Sequence, residues 1–324
     1  MARGHVGIPK PAPIKLSKTQ LLQDLVVIDN DADARARVLA METDFRTRIK
    51  VHLKGLPASD AILSKFNTNP FVLMFHSLNK GYKDISEIES DILPAKLFSS
   101  METSAGRMVE VVVLPHYEWS AVPSGMHTAN SILDGKAVRG DTLCLATLKS
   151  GPRCLNDEMS SNMADDILAG CEGWAKSENV TKIDFTYGVL YGTPNQSNKK
   201  DWHILRNIEQ KIGTGKIVAA PHGAWACHFE KGGVSVKVTI RIGIDLWNYF
   251  GGQRTAFLEV STALIRACIA PAPTSAANHA YTISDLADII SISQVAPAYN
   301  VSLLQRSQLE WLFFFARHFC DVLS

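Results

Sequence analysis

The sequence predicts an α/β fold: a mixed β-sheet core flanked by helices, with further helical additions at the N- and C-terminal ends. Three observations predict it. Residues 141–149 read as a strand, residues 182–191 as an alternating, β-branched one, and residues 157–177 between them have helical spacing, which makes a β-α-β unit with a right-handed crossover. The stretch before it, up to residue 149, reads as a tight hairpin that sets an antiparallel strand beside the unit. Residues 17–55 and 302–323 carry helical periodicity outside that core.

Taken in order, the proline-rich residues 2–14 read as a loose arm that orders on contact. Residues 17–55 form two helices, the first capped by Ser17 and the second ending at Gly55. Residues 56–80 are a Pro/Ser/Asn connection that holds the short apolar run PFVLMFHSL. Residues 82–98 are helical up to Pro94, where the helix is interrupted or restarts, because a proline disfavours helical geometry in the residue before it. A helix over 99–114 leads to the loop with Pro115, Pro123 and Gly125. In the hairpin, Arg139–Gly140 fills a two-residue turn and glycine supplies the positive φ. Val138 then faces Asp141, and Asp134 faces Leu145.

Asp157 caps the helix over 157–177, with Met159, Met163, Ile167 and Leu168 on its apolar side. Strand 182–191 is central, and the polar loop GTPNQSNKKDW (192–202) links it to the next helix. Residues 234–244 add a strand. Residues 246–250, 256–269 and 302–323 read as helices, the last two structural or dimer-forming. The chain divides into an N-terminal helical region (1–98), a central core (99–256) and a C-terminal helical region (257–324) within one compact unit.

Composition excludes several classes. The 324 residues include 46% hydrophobic and 20% charged, enough for a large core, and a net charge of +1 gives the surface as a whole no pull on DNA, though a local groove can still be basic. The six cysteines are scattered without a C-x-x-C, which argues against structural zinc and a disulfide scaffold. Cys227–His228, with His222 upstream, reads as a buried cysteine beside a surface histidine rather than a metal cluster. Residues 1–16 lack an apolar h-region and no run of 18 apolar residues occurs, so a soluble, cytoplasmic protein without membrane contact is expected. Gly213 to Lys216 lacks the upstream glycine of a phosphate-binding loop, so no nucleotide cofactor is expected. Dinucleotide, zinc-protease and serine-hydrolase signatures are also missing from the sequence.

The hairpin carries the chemistry. Side chains alternate along a strand, and directly opposed residues point to the same side, so Asp134, Leu145, Thr147 and Lys149 share one face. Diagonal neighbours there lie about 7–8 Å apart, a gap that one metal ion and its waters can bridge. Hydrolysing a phosphodiester needs a carboxylate to hold such an ion and a cation beside the attacking water. On residue types alone, an ordinary Asp134–Gly135 turn and a solvated strand end at Lys149 are the commoner explanation.

Asp134, then Thr147–Leu148–Lys149 and the run KSGPRCLND (149–157), resemble the PD-(D/E)XK signature of type II restriction endonucleases. SAGRMVE (104–110), IDFTYGVLYG (183–192), KKDWHIL (199–205) and VTIRIGIDLWNYFGG (238–252) are similar to segments of those enzymes, so the likeness covers about residues 100–255. Within the class the chain leans towards the XcyI group, which cuts within CCCGGG. The resemblance implies a restriction-endonuclease-like core over residues 99–256. It implies Mg²⁺-dependent, sequence-specific cleavage of double-stranded DNA at a short palindromic site by a homodimer, leaving 5′-phosphate ends.

Asp134, a second acid and the Leu148 carbonyl would hold the metal, and Lys149 would orient the attacking water. The chain departs from the pattern at Thr147, where the family has Asp or Glu, and a hydroxyl cannot replace that carboxylate. Restriction enzymes with this gap take an acid from a neighbouring helix. Glu110 is the first candidate, with Glu158, Asp165 and Asp166 as alternatives. Arg153 and Asn156 would grip a phosphate, and Asn195, Gln196, Asn198, Lys199 and Lys200 are residue types that reach base edges and phosphates. Thr147 also leaves open a catalytically inactive DNA-binding protein on the same fold, and a repair nuclease without sequence preference is a third reading.

Overall fold

The computed structural model of the protein describes residues 11–55, 70–122, 132–213, 216–220, 224–271, 281–292 and 302–324. The N-terminal half contains β1 (Lys15–Leu16), α1 (Lys18–Asn30), α2 (Ala32–Lys54), α3 (Pro70–Lys80), α4 (Glu89–His116) and β2 (Ser120–Ala121). The core follows as β3 (Gly135–Arg139), β4 (Thr142–Lys149), α5 (Asp157–Glu178), β5 (Lys182–Val189), α6 (Lys200–Ile212), β6 (Lys216–Ala219), β7 (Trp225–Lys231) and β8 (Val234–Ile242). Then come α7 (Ile244–Gly251), α8 (Ala256–Cys268), α9 (Leu286–Ile290), α10 (Arg306–Arg317) and β9 (Val322–Leu323).

Seven strands make one mixed sheet in the order β2-β3-β4-β5-β8-β7-β6. β4, β5 and β8 run parallel at its centre, and β3 and β7 flank them antiparallel. The period-2 alternation of the central strands divides their side chains between two cores. Leu143, Leu145, Phe185 and Val238 pack with Met163 and Ile167 of α5 and Ile204 and Ile208 of α6. Cys144, Ala146 and Leu148 face the other way, towards a cluster built from α1, α2, α4, α7, α8 and α10. The sheet flanked by helices that the sequence predicts is the one observed.

The second core holds a charge. Glu259 of α8 is fully buried, and its carboxylate accepts from Arg37 Nε and from the Tyr117 hydroxyl, each at 3.0 Å. Removing one partner of such a pair strands the other. Glu259→Ala is expected to lower stability by about 3 kcal/mol, the low end for buried pairs, because Arg37 keeps some contact with solvent. The urea unfolding midpoint measures it.

Several boundaries differ from expectation. The hairpin turn is Gly140–Asp141, with φ +59° at Gly140, and Arg139 pairs with Thr142. Asp134 therefore lies in a bend just before β3, where its N–H reaches the Ala146 carbonyl, and Leu145 is paired with Lys136 instead. Because the correction is two residues, it leaves the paired side chains of β3 and β4 on their predicted faces. Helix α5 is capped by Asn156, whose Oδ1 accepts from the Met159 N–H at 2.8 Å, and Asp157 is its first residue. Ser17 stands at the α1 N-cap without a side-chain cap bond.

Pro94 does not interrupt α4, which runs from Glu89 to His116. It sits in the second turn, where it deletes one backbone bond and has little preceding helix to displace. The apolar run at 70–80 is a helix, while residues 56–69 lie outside the described ones. Residues 302–323 are not one helix: α10 stops at Arg317, and β9 pairs in parallel with β1, which follows the proline-rich arm. Strands β6 and β7 were not expected; in β7, Trp225, Cys227 and Phe229 turn to the core of α5 and α6, and Ala226 lies on the opposite face. Cys227 is buried and His228 exposed, as expected; His222 lies outside the described residues. The six cysteines are free, and no helix among the described residues is long and apolar enough to cross a membrane.

Candidate active site

The site lies at the carboxyl end of β4, where β3 has stopped pairing. The last bond between the two chains runs from the Asp134 N–H to the Ala146 carbonyl at 2.8 Å. Beyond it, the Asp134 side chain takes over the edge: Oδ2 accepts from the Leu148 N–H at 2.6 Å and from the Thr147 hydroxyl at 3.4 Å. Strand alternation fixes the neighbouring oxygen as well. The Lys149 carbonyl accepts from the Leu190 N–H on the β5 side, so Leu148 directs both its N–H and its carbonyl to the opposite, open edge, where Asp134 lies. Lys149 ends β4, half-buried, and its ammonium makes no hydrogen bond or ion pair among the described residues.

Helix α4 closes the arrangement. Gly106, Glu110 and Leu114 are four residues apart and so share one stripe of the helix. A methyl group added at Gly106 would lie 3.9 Å from the Ser150 side chain, and one at Gly135 would lie 3.0 Å from Leu114. The stripe thus meets the chain next to Lys149 at one end and next to Asp134 at the other, with Glu110 between them. Electrostatics agree. The Glu110 carboxyl is pushed up to about 7, first by burial and then by the Asp134 charge, while Lys149 and Arg107 act in the opposite direction. Burial also raises the Asp134 carboxyl, against the Leu148 N–H, Lys149 and Thr147.

The alternative acids sit elsewhere. Asp165 is paired with Lys211 of α6 at 2.5 Å, Asp166 is exposed beside it, and Glu158 is exposed in the first turn of α5.

Two carboxylates and a main-chain carbonyl form a hard-oxygen donor set, which suits an ion of the Mg²⁺ type that keeps several waters. Side chains alone supply fewer ligands: no group of three or more His, Cys, Asp or Glu suited to a metal occurs among the described residues. Two partly desolvated acids facing one lysine lack positive charge, and a divalent cation would supply it.

The family model described as type II restriction endonuclease EcoO109I matches residues 40–212, more than half of the chain. The chain belongs to the EcoO109I family of type II restriction endonucleases. No curated protein sequence matches it. The family makes the protein a nuclease whose substrate is DNA, and such enzymes generally use divalent metal ions. The match spans α4, the hairpin, α5, β5 and α6, and so includes Glu110, Asp134 and Lys149. The finer likeness to the XcyI group gains nothing from it.

In this endonuclease each polar side chain singled out for DNA has an internal partner. Arg153 donates from Nε to the Gln196 carbonyl at 3.3 Å, and Asn156 is spent on the α5 cap. Gln196 Oε1 accepts from the Thr193 N–H, Asn195 donates to Asp321, and Asn198 donates to the Leu155 carbonyl. Lys199 donates to the Pro194 carbonyl, and Lys200 pairs with Asp157 at 2.6 Å. Loops 150–156 and 190–199 are therefore one packed surface at the carboxyl ends of β4 and β5, the place where open α/β sheets bind ligands. Arg153 is exposed on that surface. Sequence reasoning missed Thr193 and Asp321, whose partners are more than 120 residues apart along the chain.

Proposed function

We propose that this restriction endonuclease cuts both strands of a short palindromic DNA site in a Mg²⁺-dependent reaction, as a homodimer, leaving 5′-phosphate ends. The observation that carries the reading is the grouping of Glu110, Asp134 and Lys149 at the unpaired edge of β4. Glu110 and Asp134, with the Leu148 carbonyl, would hold the divalent ion. When bound, such an ion neutralises charge on the phosphate and lowers the pKa of water.

The remaining work falls to the chain itself. Lys149 would direct its ammonium at the attacking water and the phosphate, stabilising the charge that develops there. Thr147, in place of the usual acid, anchors Asp134 rather than binding metal. Arg153 would hold a neighbouring phosphate. A palindrome presents two equivalent scissile bonds, so two symmetry-related copies would place one site on each strand.

Digesting a plasmid of known sequence with purified protein and Mg²⁺ tests the reading. A fixed set of discrete fragments ending in 5′-phosphate is expected. Retarded but uncut plasmid would point to a binding protein, and a smear to a nuclease without site preference; either contradicts the proposal.

A further inference from the structure

The loop at 190–199 has no regular secondary structure, and besides its bonds to loop 150–156 it is tied to residues more than 120 positions away. Asp321 accepts from the Thr193 hydroxyl at 2.7 Å through Oδ1 and from Asn195 Nδ2 at 3.0 Å through Oδ2. The same Oδ2 accepts from the Ile14 N–H at 2.8 Å. Burial acts to raise this carboxyl, but the bonds from Asn195, Thr193 and Ile14 prevail and hold it below the ordinary range.

Asp321 is itself fixed. Its N–H donates to the Ile14 carbonyl at 2.8 Å, β9 pairs with β1 immediately after it, and the Lys18 N–H donates to the Ser324 carbonyl at 2.7 Å. The Gly192 N–H donates to the His318 carbonyl at 3.0 Å, a second tie between the loop and the same terminal segment. From Asp321 a continuous path leads back to the candidate site. The Thr193 hydroxyl binds Asp321, its N–H binds Gln196 Oε1, and the Gln196 carbonyl takes Arg153 Nε. Arg153 is four residues from Lys149.

We infer that Asp321 is a positioning residue for DNA cleavage: it clips the 190–199 loop to the paired chain termini and so sets where Arg153 and the loop meet the substrate. This rests on the reading that the loop and Arg153 contact DNA. A carboxylate that takes three donors is a strong, directional anchor, and an alanine leaves all three without their acceptor.

The test compares wild type with Asp321→Ala, Thr193→Val and Asn195→Ala by two readouts. The first is amide hydrogen exchange over residues 192–199 without DNA. The second is KM and kcat for cleavage of a cognate duplex. Asp321→Ala is expected to speed exchange in the loop and to raise KM by about tenfold, with kcat at saturation within about threefold, the size of one lost charge-assisted bond. Thr193→Val and Asn195→Ala each give a smaller change of the same kind, and they carry the test if Asp321→Ala does not fold. Unchanged exchange in the loop, or a fall in kcat with KM unaltered, would overturn the inference. A wild type that cuts no DNA contradicts the proposed function instead, and the exchange result then decides the positioning claim by itself.

Discussion

Lys149→Ala is expected to abolish detectable cleavage while leaving sequence-specific DNA binding largely intact. The separation follows from how the residue is held. Its main-chain carbonyl is bonded to the Leu190 N–H, so β4 keeps its end when the side chain is cut back. The ammonium has no structural partner among the described residues; its charge acts on Glu110 and Asp134. The truncation thus removes a charge from the reacting centre and little else. Losing one group that stabilises the transition state typically costs about 10²–10³ in kcat, and a lysine that also orients the water should reach the upper end. Gel retardation with Ca²⁺ alongside a cleavage time course separates the two effects. Cleavage within about tenfold of wild type would remove Lys149 from the mechanism.

Glu110→Gln should also stop cleavage, and it should make the metal-free protein more stable at alkaline pH. The ordinary value of the carboxyl is 4.5, and in the folded protein it is pushed up to about 7 by burial and by Asp134. Between those values the folded state binds more protons than the unfolded one, so this group makes stability fall as pH rises. Below the unfolded value both states are protonated and the penalty vanishes; above the folded value both are ionised and it is fully present. Glutamine has the same shape without the charge and escapes the penalty. Urea unfolding without divalent metal is expected to show Glu110→Gln more stable than wild type at pH 8 and equal to it near pH 4. An equal gap at both pH values would mean that the carboxylate is not the strained group. Sites that bind a cation commonly trade stability for function in this way.

The parts of the site that were legible in the sequence are those set by local periodicity. Thr147 and Lys149 share a face by alternation along β4 whichever turn is chosen, whereas Asp134 lies before the ladder begins and reaches β4 through its bonds to Thr147 and Leu148. The turn itself was misread because both Arg139–Gly140 and Gly140–Asp141 contain the glycine that a tight hairpin needs, and pairing across the sheet made the choice. Glu110 was reached through resemblance, and the glycine one turn before it is no independent signal, since a methyl group there would make only ordinary contacts with Leu190 and Ser150. Strand β7 was missed although Trp225, Cys227 and Phe229 alternate with Ala226, His228 and Glu230. The tie from Asp321 to Thr193 and Asn195 leaves no local trace, since nothing near residue 321 indicates which loop will fold against it.

The central claim is that Glu110, Asp134 and the Leu148 carbonyl hold one divalent ion beside Lys149. Anomalous scattering from Mn²⁺ soaked into crystals of the wild type and of Asp134→Ala tests it most directly. One strong peak among those three oxygen donors in the wild type, absent from Asp134→Ala, is the expected result. Manganese bound instead beside Glu158 or Asp165, with the β4 edge empty in a protein that still cuts DNA, would contradict it.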